Sequence, residues 1–131
     1  MDARGDEAMG FRHDVTTHHF RLRADGGAIE VSANDPTDTL SIAQIRGHLR
    51  QIAAMFAEGD FQIPARVHAQ VPPGAARMKR FKDEIHYVYE PLEDGAQVRI
   101  AAHSSRATEA VHDFLRFQIR EHTTGDPETI R

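Results

Sequence analysis

One four-part pattern occurs twice along this chain and limits its fold more than any other feature. Over Thr16–Ala24, His18, Phe20 and Leu22 alternate with His19, Arg21 and Arg23, the period of two expected of a half-buried strand. Asp25-Gly26-Gly27 supplies turn chemistry, and Ile29, Val31 and Ala33 resume the alternation, which predicts a β-hairpin. Asn34-Asp35-Pro36 breaks the strand, and Asp38, Thr39 or Ser41 is available as a helix N-cap. Ile42, Ile45, Leu49, Ile52 and Phe56 then fall at spacings of three and four, an apolar helical stripe that Gly59 ends. The order returns with Ile85, Tyr87 and Tyr89, the turn Glu93-Asp94-Gly95, and Val98, Ile100 and Ala102. His103-Ser104-Ser105 offers the second cap, and Ala110, Val111, Phe114, Leu115, Phe117 and Ile119 predict a helix to about Glu121.

Two hairpins that are each apolar on one face need a cover for that face. The economical arrangement is an α+β fold in which two ββα units form a four-stranded antiparallel sheet with both helices on one side. The opposite face then carries His19, Arg21, Arg23, Glu30, His86 and Arg99. A single domain is expected over residues 15–122, between a mobile N-terminal segment, 1–14, and a mobile C-terminal tail, 123–131, because neither end has a periodic apolar pattern. The connection from Gly59 to Glu84 is punctuated by Pro64 and Pro72-Pro73-Gly74. Within it Ala75–Phe81 is expected as a short helix buried through Met78 and Phe81. A connection of this length suits a lid or binding loop.

Composition excludes more than it assigns. The chain of 131 residues has no cysteine, so disulfides, thiolate metal sites and cysteine nucleophiles are out. Its formal charge of −4 offers no general attraction to nucleic acid. The one basic run, Arg77, Lys79, Arg80 and Lys82, is short and followed at once by Asp83-Glu84. No window is long and apolar enough for a membrane span. No nucleophile elbow or phosphate-binding glycine loop is present, so no enzyme class is indicated.

Nine histidines are the unusual element, enough to reverse the sign of the chain's charge on protonation. His112 lies at the edge of the second helix stripe, while Gln118 and His122 fall within its apolar side. On the first helix His48 stands at the stripe edge with Met55 seven residues later. His68 sits in the run Arg66–Gly74, which prolines stiffen. If the helices pack side by side, His48, His112 and Met55 meet in the groove between them, a nitrogen and thioether set suited to copper, whereas imidazoles alone suit zinc as well. His18 and His19, adjacent on a strand, point to opposite faces. With His13 they belong to a terminus where solvation is the simpler account, as it is for His86 and His103.

Several of these segments resemble a poorly characterised family of small bacterial proteins. They are Thr16-Thr17-His18-His19-Phe20, Asp25-Gly26-Gly27, Ile45-Arg46-Gly47-His48-Leu49, His68 with Pro72-Pro73-Gly74, and the run from Ala110 to His122 followed by Thr124-Gly125-Asp126. The resemblance spans residues 9–127 and implies a single domain in a periplasmic or secreted setting, with no activity attached. Met1–Asp14 lacks a basic-then-apolar leader, so export would place the leader outside this sequence.

Two functional expectations follow. The first is a copper- or zinc-binding domain using His48, His68, His112 and His122. The second is a non-enzymatic module that binds a small ligand or another protein, a second copy of itself included, through a pocket or interface lined by Gln118, Tyr87 or Phe61. An enzyme using His68 or His122 as general acid or base would need only well-placed groups. Nothing in the sequence names its substrate.

Overall fold

The computed structural model describes residues 15–61, 72–122 and 124–130. Both hairpins form. Strand β1 (Thr16–Arg23) pairs antiparallel with β2 (Gly26–Ala33), and β3 (Ile85–Leu92) with β4 (Gly95–Ala102). The central strands β2 and β4 join the two hairpins into one antiparallel sheet of order β1-β2-β4-β3, which leaves β1 and β3 as its edges.

Helix α1 (Thr39–Ala57) starts at Asp38, whose carboxylate accepts the Ser41 N–H at 3.1 Å. It closes at Gly59, whose φ of 79° lets Gly59 N–H and Asp60 N–H return to Phe56 O and Met55 O. Helix α2 (Ala75–Arg80) is the expected short helix and buries Met78 completely. Helix α3 (Ser105–His122) is capped by Ser104, whose hydroxyl accepts the Ala107 N–H at 3.2 Å.

Both long helices lie on the same face of the sheet, as the two-layer expectation required. The core lies between them and Phe20, Leu22, Ile29, Val31, Val98 and Ile100 of the sheet, with Ile45, Leu49, Val111, Phe114 and Leu115 from the helices. The two halves interlock. Helix α1, from the first half, packs chiefly on β4 and β3 of the second, and α3, from the second half, packs chiefly on β1 and β2 of the first. Each ββα unit therefore covers its own hairpin only at the central strand and depends on the other to bury the rest of its apolar face.

The segment after α3, expected as a mobile tail, places Asp126 against the outer edge of β1. The Asp126 carboxylate, 6% exposed, accepts the Phe20 backbone N–H at 3.0 Å, meets His19 Nδ1 at 2.9 Å and accepts from Arg21 at 3.3 Å. Arg116 donates to the Glu128 carbonyl at 2.9 Å and Arg120 pairs with the Glu128 carboxylate at 2.6 Å, holding the same segment to α3.

Candidate functional site

The histidines divide by partner. His112 is 5% exposed, and its Nε2 donates to the Arg23 carbonyl at 2.7 Å, where β1 enters its turn. Arg46 of α1 does the same for the other hairpin, donating to the carbonyls of Leu92 and Gly95, the latter at 3.0 Å. His122 stacks on His18, with centroids 5.4 Å apart and planes 6° from parallel, and on Phe20, also at 5.4 Å. His48 is buried on α1, and burial alone lowers its pKa to about 4, which keeps it neutral. His68 lies outside the described residues, as does His13. His103 and His86 meet edge to face at 4.7 Å beside the start of β3.

Helix α3 thus directs His112 to a backbone carbonyl and His122 to an aromatic stack. Among the described residues no group of three or more histidine, aspartate or glutamate side chains is placed to hold a metal ion. Gln118 is buried on α3, as its position in the apolar arc predicts. Tyr87 packs its ring edge on Phe56 at 5.8 Å, and burial raises its pKa. Phe61 and Phe114 also meet the Phe56 ring, at 4.4 Å and 5.8 Å, so the four rings form one aromatic cluster.

Sequence reasoning missed His18. It is 8% exposed, because β1 alternates and His18 is in phase with Phe20 and Leu22. That signal was present in the alternation itself. The docking of Asp126 had no periodic signature at all.

An open cleft of about 650 Å³ lies at one end of the sheet, lined by Asp25, His103, Ser104, Thr108, Glu109 and His112 among others. Much of its polar lining is already engaged. Asp25 pairs with Arg99 at 2.6 Å, an interaction that lowers its pKa, Ser104 caps α3, and His112 holds the Arg23 carbonyl.

The uncovered sheet face and the sheet edges offer a different kind of surface. That face carries His19, Arg21, Arg23, Glu30, His86 and Arg99, the set expected from the alternation, together with Val88, which is 51% exposed. The edges differ. Asp126 closes β1 by taking up the outward Phe20 N–H, whereas among the described residues no strand or side chain pairs with the outer edge of β3. Outward backbone groups on an edge strand are a template for another chain.

No family model, no curated protein and no solved structure matches this chain. The resemblance noted from the sequence therefore brings no activity with it. Among the described residues no helix is long and apolar enough to cross a membrane.

Proposed function

We propose that this domain is a non-enzymatic protein-interaction module whose contact surface is the outer edge of β3 with the adjoining part of the polar sheet face. The observation that carries this reading is the inequality of the two edges. The chain spends a buried aspartate and a folded-back segment on closing β1, while β3 presents Val88 between His86 and Glu90, all three exposed. Recognition by strand addition draws on main-chain hydrogen bonds for affinity and on alternate side chains for specificity, and β3 has both to offer.

A copper or zinc site, the other expectation, would need His48 and His68 to be joined by a further ligand. Among the described residues no three histidine, aspartate or glutamate side chains are grouped to hold a metal ion, so the metal reading has less support than the edge gives this one. The test is a photo-crosslinking residue installed in the cell at position 88, on β3, and separately at position 105, beside the cleft. Adducts at 88 with none at 105 are expected. Adducts confined to 105, or none at either position, overturn the reading.

A further inference from the structure

We propose that the partner of β3 is β3 of a second copy of this chain, paired antiparallel about a two-fold axis through Val88, so that two four-stranded sheets become one of eight strands. This rests on the edge reading above and names its occupant.

The backbone decides which groups are available. His103 N–H donates to Glu84 O at 2.8 Å, so Glu84 and His103 form a hydrogen-bonded pair next to the β3–β4 ladder. Hydrogen-bonded and open pairs alternate along an antiparallel ladder, so His86, Val88 and Glu90 direct their main-chain groups toward β4. Ile85, Tyr87, Tyr89 and Pro91 direct theirs to the outer edge, which no other described strand pairs with. Pro91 has no N–H, so it falls where a missing donor costs the parent sheet nothing.

Self-pairing can join only outward groups to outward groups, which restricts the register to steps of two residues. With Val88 on the axis, Tyr87 of one copy faces Tyr89 of the other, and their N–H and C=O groups exchange bonds on both sides of the axis. On the open face, His86 of each copy comes opposite Glu90 of the other, an imidazole donor against a carboxylate acceptor, twice by symmetry. Val88 meets Val88 between them. A shift of one step either way puts His86 or Glu90 opposite Val88 and loses both polar pairs, so the side chains select the central register. Here the exposed valine gains an apolar neighbour, and His86 is already held on this face by His103.

The other edge explains why assembly stops at two. A two-fold contact uses the same patch on both subunits and closes on itself. Further addition would need β1, whose outward Phe20 N–H is taken by Asp126.

The experiment uses the full chain, which has no cysteine of its own. In the proposed register the two Val88 residues form a non-hydrogen-bonded pair, with Cβ atoms about 4.5–5.5 Å apart, close to disulfide reach. On mild oxidation Val88→Cys is expected to give a covalent dimer, and Glu90→Cys, displaced from the axis, is not. By sedimentation velocity the unmodified chain is expected to be a dimer. His86→Glu or Glu90→Lys alone should weaken it at least tenfold, and the double exchange H86E/E90K should restore it, with circular dichroism confirming that each variant is folded. A monomer at all concentrations overturns the self-pairing, while adducts to another protein at position 88 would leave the edge reading standing. A dimer indifferent to all of these changes also overturns the self-pairing, and the edge reading is then decided by the crosslinks at positions 88 and 105.

Discussion

His112 stands in the second half of the fold where Arg46 stands in the first. Setting Leu49 on Leu115 aligns Arg46 with His112, and setting Gly26 on Gly95 aligns Arg23 with Leu92. The two contacts match as well: Arg46 donates to the Leu92 carbonyl and His112 to the Arg23 carbonyl. Each side chain reaches from its own helix to the end of the opposite half's hairpin. The interlocking of the halves is thus tied at two equivalent points, and one of the nine histidines is explained as a strut.

Replacing either strut by an apolar side chain should leave a carbonyl without its donor. His112→Phe is expected to lower stability by about 1–3 kcal/mol, the usual cost of orphaning a buried polar group. Arg46→Met, whose parent is less buried and whose loss water can partly offset, should cost less. Urea unfolding checks both, with the midpoint falling and the slope unchanged. Equal stability of His112→Phe and the parent would show that this bond contributes nothing net.

Much of the fold was legible because its signals are local. Alternation placed Phe20 and Leu22, Asp25-Gly26 and Asp94-Gly95 fixed the turns, and Asp38 and Ser104 fixed the helix starts. The crossing of each helix to the other half was not legible, since sequence spacing says which face of Leu49 is apolar and not which strands it meets. The histidines show the same limit. Helical periodicity put His112 and His122 at the stripe, but their partners, Arg23 O and His18, come from β1, nearly ninety residues or more away in sequence. Asp126 was invisible for a third reason: a single carboxylate capping a strand edge needs no repeat.

Removing that cap should have a local signature. Asp126→Ala is expected to raise amide hydrogen exchange at Phe20 more than at the central strands β2 and β4, and to lower stability by about 1–3 kcal/mol. It also opens a second sheet edge, so assemblies larger than the parent's should appear on concentration. Exchange at Phe20 that matches the parent's would show that the segment 124–130 does not protect β1.

Gly47 and Gly27 should respond oppositely to a methyl group. Gly47 is exposed in the middle of α1, and a Cβ there meets nothing within 4 Å. Gly47→Ala is expected to stabilise by about 0.5–1 kcal/mol, by reducing the freedom of the unfolded chain and improving helix propensity. At Gly27 a Cβ would stand 2.1 Å from Arg21 O and 2.3 Å from a Leu115 methyl carbon, so Gly27→Ala must push β1 and α3 aside and should destabilise. Thermal unfolding midpoints of the two variants check the contrast.

His48 should make stability fall as the solution is acidified. Burial lowers its folded pKa to about 4, against about 6.5 for a solvated imidazole. Between those values the unfolded chain binds a proton that the folded chain refuses, so stability rises with pH across the window and is lost as pH falls through it. A full one-proton difference corresponds to a slope of about 1.4 kcal/mol per pH unit. Asp126 acts below that window. Burial works to raise its pKa, but the Phe20 N–H, the Thr124 hydroxyl and His19 together outweigh this and leave it lowered, so its contribution is present above the ordinary carboxylate range and lost in stronger acid. Urea unfolding from pH 7 to pH 4.5 therefore covers the window in which His48 acts. The slope should be shallower in His48→Gln than in the parent and retained in Asp126→Asn. If His48→Gln kept the full slope, the proton would be taken up elsewhere.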